Sequence, residues 1–568
     1  MMEPRKDVKV SVADAVGRRA EGKTDRSDKR EFRKGPARSK SGACRRNFLR
    51  GNREISRLLV RCKADEPRSE GQGRNAEMND REKSDGLVVP KKSPNETEAM
   101  EGSSPTKRNS GQRSTDRTQS RSEVSRELDR VREAVRRHDG KKFTALLHHI
   151  TPERLSQSYR KLKRNAARGV DGVSWEQYGE SLEENIQTLC EQIHRGAYRA
   201  APSRRTYIAK SDGSLRALGI ATIEDKIVQG AVAEVLNAIY EEVFYGFCYG
   251  FRPKRGPHDA LDALVMAIEH RKVNWIMDAD IRGFFDAVDH VWMQKMIEHQ
   301  IGDRRLVRLI MKWVKAGVME EGKWIASEQG TPQGAVISPL LANIYLYYAF
   351  DQWAHAWRRR QARGEVIIVR YADDFVVGFE HREDAERFHE ELRERLSKFA
   401  LELHPEKTRI IEFGRYAAER RERGGKGKPE TFTFLGFQHI CTERRDGKYA
   451  VLRKTDRRRL TQKLHALKAE LAKRRHEPIP KQGQWLAAVI RGFDQYHAVP
   501  GNLAALRTFR RALMRLWWQS LRRRSQRSRL NAARSKRLID RWIPPARILH
   551  PWPDARFNGK TLRRSRMR

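Results

Sequence analysis

The stretch Glu365-Val-Ile-Ile-Val-Arg-Tyr-Ala-Asp-Asp-Phe-Val-Val-Gly-Phe-Glu380 sets two apolar, β-branched runs on either side of a short polar centre. Such a pattern predicts a β-hairpin with Asp373 and Asp374 at its tip. Aspartate tolerates tight turns, so the pair has a purely conformational reading as well as a chemical one. Upstream, Val273 to Met277 reads as a buried strand that delivers Asp278 and Asp280 just before Ile281-Arg282-Gly283-Phe284-Phe285-Asp286. Carboxylates at the end of one strand and at the tip of a hairpin can converge on one point. Two divalent cations about 4 Å apart need such hard oxygen ligands, and Mg2+ held this way can activate a hydroxyl and stabilise a leaving pyrophosphate. The chemistry implied is phosphoryl transfer.

Between the acidic segments lies Gly330-Thr331-Pro332-Gln333-Gly334, a turn-rich loop, followed by Ser338-Pro339. Ser338 fits a helix N-cap with proline at the first helical position. Leu340, Leu341, Ile344, Tyr345 and Tyr348 would then mark one helix face. Gln333 is either a loop residue satisfying backbone groups or, from its place between the carboxylates, a nucleotide contact.

Outward from this centre the chain alternates strand-like and helix-like patterns up to about residue 440, which predicts an α/β or α+β body. Beyond Leu460 the pattern turns helical and basic, with Arg522, Arg523, Arg524, Arg527, Arg529, Arg534, Lys536 and Arg537 interleaved with Trp517, Trp518 and Trp542. A solvated charged face is one reading of such a run. The whole chain of 568 residues carries 117 Lys+Arg against 74 Asp+Glu, a formal charge of +43. That excess of one sign, with aromatics able to stack on bases, favours contact with nucleic acid.

Residues 1–122 hold only two aromatics, Phe32 and Phe48, and read as a disordered leader unable to bury enough apolar surface. From Ser122 to His149 apolar residues recur at helical spacing around an Asp139-Gly140 turn signal. The expected divisions are 1–122 leader, 123–200 N-terminal extension, 201–440 catalytic body, 441–545 helical domain and 546–568 basic tail. Five cysteines without a Cys-x-x-Cys pair argue against a disulfide framework or a cysteine-rich zinc site and fit a reducing cytosol. The uncharged run from Gln329 to Phe350 contains Pro332, Pro339 and Asn343 and reads as a buried helix rather than a membrane span.

These residues resemble bacterial group II intron-encoded reverse transcriptases and maturases. Tyr371-Ala372-Asp373-Asp374 is similar to the YxDD box of reverse transcriptases, and Asp278 to Asp286 to the motif that supplies the other metal-binding aspartate, at Asp280. Gly169 to Val173, Tyr249-Gly250-Phe251-Arg252-Pro253, Gln333-Gly334 with Ser338 to Asn343, His404-Pro405-Glu406-Lys407-Thr408 and Leu435-Gly436-Phe437 match in the family's order. Arg491-Gly492, Tyr496 and Ala498-Val499-Pro500-Gly501-Asn502 extend the match into the maturase region.

The resemblance implies a right-hand polymerase: fingers and palm around an antiparallel sheet, then a helical thumb with the maturase surface. It implies two Mg2+ on Asp280, Asp373 and Asp374, with the Ile281 carbonyl a further ligand. Lys210, Arg216 and Lys407 would meet the nucleotide, and Phe285 would exclude a 2′-hydroxyl. Arg252, Leu435 and Gly436 would contact the nucleic acid. The implied partners are the parent intron RNA, template RNA, primer DNA and dNTPs. The chain departs from the family at Ala209, Ala217 and Ala221, where members usually carry proline, so a looser loop is expected there. Only His497 and His550 lie beyond Tyr496, and the last cysteine is Cys441, so no HNH endonuclease domain is expected. Priming would then depend on nicks or replication forks. Two rival readings are a maturase with a retired polymerase site and a reverse transcriptase serving another genetic element.

Overall fold

In the computed structural model, residues 127–137, 142–209, 215–444, 446–525 and 530–556 are described. The leader, Lys210, Arg527, Arg529 and residues 557–568 lie outside them. The acidic hairpin forms as two strands of a four-stranded antiparallel sheet. Numbering strands along the chain, this sheet runs β6 (Val366–Tyr371), β7 (Asp374–Phe379), β3 (Trp275–Asp280) and β8 (Arg409–Glu412). Tyr371 pairs with Asp374, leaving Ala372 and Asp373 as a two-residue turn. Turns this tight need positive φ, and Ala372 supplies it at 58°.

Both runs of the hairpin are apolar because both faces of the sheet are covered. Met277, Ala279, Ile368, Phe375, Val377 and Phe379 join one large core with the helices Ile223–Val243, Ser338–Leu346 and Arg382–Ser397. Ile276, Ile367, Val369, Val376 and Ile411 face a second core with the helix Pro257–His270 and with Phe432, Phe437 and Val451.

Two further sheets flank this centre. One orders β2 (Leu215–Ile220), β1 (Ser203–Ala209), β4 (Val318–Glu320) and β5 (Lys323–Ile325). The other orders β11 (Tyr449–Thr455), β10 (Phe437–Glu443) and β9 (Phe432–Phe434). Four helices follow, Arg457–Lys473, Ile479–His497, Leu503–Arg522 and Ala532–Trp542, the first three contributing most of a separate apolar core. The result is a mixed α+β chain. No helix among the described residues is long and apolar enough to cross a membrane.

Several expectations are corrected. The upstream strand covers Trp275–Asp280, so Asp278 and Asp280 lie within it rather than after it. Asp374 likewise starts β7 instead of sharing the tip. The division expected at residue 441 falls inside β10, because the hydrogen-bonded ladder of β10 with β11 runs on to Thr455. The break to the helical region comes at Asp456, whose side chain accepts from Arg458 N. Ser338 is not an N-cap: its hydroxyl donates to the Pro332 carbonyl at 3.0 Å and closes the loop, while Ile337 occupies the cap position. The following helix is covered on every side rather than along one face, with all residues from Leu340 to Asp351 buried. The first part of the expected basic tail, residues 546–556, is bonded to the body: Leu549 N and His550 N donate to Ala498 O, and Arg556 pairs with Asp262 at 3.2 Å.

Candidate active site

Alternation along β3 puts Asp278 and Asp280 on the same face as Ile276. The antiparallel register sets Asp374 directly across from Asp280, with Val376 across from Asp278. Asp373 projects from the turn beside them. All four carboxylates are half-buried. Burial pushes the Asp278 carboxyl up to about 6, with nearby Arg409 opposing and Asp280 adding to the shift. Asp373 is raised mainly by burial, and its neighbour Asp280 raises it further, while Arg216 from β2 holds it down. Asp374 is raised well above the carboxylate range by burial and then by Asp278, Asp280 and Asp373.

Crowded carboxylates of this kind favour a bound cation. Two are supplied internally: Lys407 Nζ lies 2.6 Å from Asp280 Oδ2, and Arg409 Nε lies 3.8 Å from Asp278 Oδ2. The donor set suits Mg2+, which takes hard oxygens. Among the described residues no three side chains are already drawn into a closed metal cage.

Backbone contacts gather the remaining candidates. Asp280 O accepts from His404 N at 2.8 Å, and Ile281 bridges to Leu403, so the segment carrying Lys407 is fixed to the end of β3. Thr331 N donates to Phe285 O, and Gly219 N donates to Gln333 O. The loop holding Gln333 thereby joins the Phe285 segment to the end of β2. Gly334 sits at φ 108°, and a Cβ there would lie 2.9 Å from Gly219 O. Phe285 is half-buried, its ring edge-on to Phe284. Arg216 is exposed on β2.

Leu435 and Gly436 form a left-handed turn with φ of 48° and 80°. The Leu435 carbonyl accepts from the Tyr496 hydroxyl at 2.8 Å, and Gly436 O accepts from Asp456 N at 3.0 Å. Arg459 reaches over the same turn, its Nη1 2.9 Å from where a Gly436 Cβ would be. It is near enough to Asp374 to favour that carboxylate's charge. Arg459 was not legible in the sequence, being one of three consecutive arginines.

Two expectations fail here. Arg252 is not available to nucleic acid. Its Nε and Nη2 donate to the Glu241 carboxylate, its Nη1 to Tyr245 O and Cys248 O, and its Nη2 also to Glu241 O. All five N–H donors are used internally. Trp517 cannot stack on bases, because it is 1% exposed and donates to Gln482 Oε1. Trp542 packs against Gly483. Arg522 and Arg523 are exposed at the end of the helix Leu503–Arg522, whereas Arg524 is half-buried and donates to His476 O.

A family described as reverse transcriptase (RNA-dependent DNA polymerase) matches residues 208–439. Protein YkfC of Escherichia coli (strain K12) is 34% identical over 273 residues, which is 43% of this chain and 71% of YkfC. The group II intron-encoded protein LtrA of Lactococcus lactis subsp. cremoris is 36% identical over 222 residues, which is 39% of this chain but only 37% of LtrA. The Nuclear intron maturase 4, mitochondrial, of Arabidopsis thaliana is 25% identical over 254 residues and matched over 30% of its length.

Proposed function

The chain belongs to the reverse transcriptase family, the RNA-directed DNA polymerases, and from that premise we propose that the carboxylates at the end of its central sheet extend a DNA primer with dNTPs on an RNA template. The observation that carries this reading is the pairing of Asp280 with Asp374 across β3 and β7, with Asp373 in the adjoining turn. Asp280, Asp373 and Asp374 would hold two Mg2+, with the Ile281 carbonyl as a further ligand. When bound, these ions make the primer hydroxyl a better nucleophile and neutralise charge on the triphosphate. Arg216, Lys407 and Lys210 bind the triphosphate, Lys407 exchanging its present partner Asp280 for phosphate oxygens. Gln333 and Phe285 line the nucleotide, Phe285 beneath its sugar.

In this reading the central sheet is the palm, the sheet of β1, β2, β4 and β5 the fingers, and the helices from Arg457 onward the thumb. Leu435 and Gly436 contact the nucleic acid. The thumb and its exposed Arg522 and Arg523 also hold the parent intron RNA and assist its splicing. Similarity to LtrA, the Arg491 to Asn502 block and the +43 charge support this maturase role. The rival of a retired polymerase site is disfavoured because all three ligand aspartates stand together.

Asp280→Ala and Asp373→Ala are each expected to abolish primer extension with Mg2+ while RNA binding stays near wild type, since one carboxylate contributes little to an extended basic interface. Asp374→Ala is expected to be less severe. Full-length extension by Asp280→Ala would refute the assignment.

A further inference from the structure

Arg370 lies on β6 three residues before Asp373, and its side chain is wholly buried against the equally buried Asp351. Its Nε donates to Asp351 Oδ1 at 2.7 Å and its Nη2 to Asp351 Oδ2 at 2.5 Å. The other three donors go to Asn343 Oδ1 at 3.1 Å, the Cys248 sulfur at 2.9 Å and the Ala372 carbonyl at 3.0 Å. All five N–H groups of the guanidinium are thus spent on four residues from three segments of chain. The only one directed at the acidic turn holds the carbonyl of its left-handed residue.

The surroundings keep the same turn in place. Asp351 ends a π-helical turn, Tyr347–Asp351, that joins the helix Ser338–Leu346 to the helix Gln352–Arg360. Such a bulge changes which way the following residues face, and bulges of this type are frequent at functional sites. Asn343 Nδ2 donates to Gly250 O at 2.8 Å, and β6 is flanked by Tyr249 N to Arg370 O and Arg370 N to Phe247 O. Gly250 therefore lies flat on the turn: a Cβ there would be 2.3 Å from Ala372 N.

A buried ion pair is a poor device for stability alone, because apolar groups of similar volume often serve as well or better. It is a good device for fixing geometry. We propose that Arg370, oriented by Asp351 and Asn343, is a positioning residue that locks the Ala372–Asp373 peptide and thereby sets where the Asp373 carboxylate meets the metal ions. The inference rests on the reading of Asp373 as a metal ligand. Partners that orient a ligand from behind are worth about 10- to 100-fold in metal affinity.

The test uses the full chain on an RNA template with an annealed DNA primer. Mg2+ is titrated in primer extension, and Mn2+ binding is measured by electron paramagnetic resonance on the complex with a dideoxy-terminated primer and dNTP. Arg370→Lys keeps the charge but loses the planar fork. It is expected to raise the Mg2+ half-saturation by about 10-fold or more and to weaken Mn2+ binding in parallel, while KM for primer–template changes little. Arg154→Lys, which disturbs a buried guanidinium whose bond to His149 O and pairing with Glu234 lie on other segments, should lower the melting temperature without moving either metal curve. Gly250→Ala leaves the Arg370 pair intact but pushes on Ala372, and it should reproduce the metal defect. It decides the matter alone if Arg370→Lys does not fold.

Wild-type metal curves in a folded Arg370→Lys, or in Gly250→Ala, would overturn the proposal. Asp373→Asn separates the two layers. If it too left Mn2+ binding unchanged, the ligand assignment of Asp373 would fall. If it weakened Mn2+ binding while Arg370→Lys did not, only the positioning role would fall.

Discussion

At Arg252 and Arg370 two buried guanidinium groups show how little a residue type says without its partners. One lies inside the Tyr249 to Pro253 block and the other just before the Tyr371 to Asp374 box, and each spends five donors internally, Arg252 on Glu241 and nearby carbonyls, Arg370 on Asp351, Asn343, Cys248 and the acidic turn. Arg252→Ala leaves Glu241 and several carbonyls without their partner, so it should destabilise the chain by about 3–5 kcal/mol. The salt dependence of RNA binding should stay as in wild type. Denaturant unfolding beside filter-binding titrations checks both halves. Phe285→Ala carries the complementary expectation for a residue proposed to lie beneath the nucleotide sugar. Removing the ring should admit ribonucleotides, read as a fall in the dNTP-over-rNTP ratio of kcat/KM. Unchanged selectivity in a folded variant would make Phe285 a core residue only. The aspartates were legible as candidates because a second acidic segment at Asp278 and Asp280 could converge with the hairpin pair, which a turn by itself would not require. Arg370, Asp351 and Arg459 were not, because their roles depend on segments far away in the chain.

Among the elements, the helix Ile479–His497 carries a carboxylate it does not need for its own formation. Asp494 is buried, and burial raises it to about 6. With an unfolded value of about 3.9, the folded chain binds the extra proton between about pH 4 and 6. Stability from this group therefore falls as pH rises through that window, and the full cost is present above about 6. Asp494→Asn should raise the melting temperature at pH 7.5, by about 2–4 °C for each kcal/mol relieved, and give no gain near pH 4. An equal gain at both pH values would mean that the effect is not ionic. Element boundaries were less legible than element types. Polar residues at Asp278 and Asp280 hid the end of β3, and the half-exposed residues of β10 and β11 hid the break at Asp456, because polar positions inside a strand look like loop in sequence.

For the molecule as a whole, the formal charge of +43 sets the expectation of a polyanionic partner. Replacing Arg522, Arg523, Arg524 and Arg527 with Ala should weaken binding to structured intron RNA and flatten the log-salt slope by roughly 0.7–0.9 for each phosphate that is no longer neutralised. Splicing assistance should fall with it, while extension of a short primer on a generic template should suffer less. Arg524 already donates to His476 O, so most of the change should come from its neighbours. An unchanged slope and splicing rate would reduce the run to a cationic helix end that offsets the helix dipole.

The sequence by itself pointed to the chemistry: acidic residues that a strand end and a hairpin could bring together, a basic helical region, and an alternation of strands and helices that left α/β and α+β both open. Periodicity and local turn chemistry are properties of neighbouring residues, so they survive without a structure. The tertiary fold alone decided which charged groups stay available. It placed Asp374 opposite Asp280 through strand register, drew Lys407 onto Asp280, and withdrew Arg252 and Trp517 into internal contacts. Those outcomes depend on partners distant in the chain, and a buried group's role is set by what satisfies it rather than by its own identity.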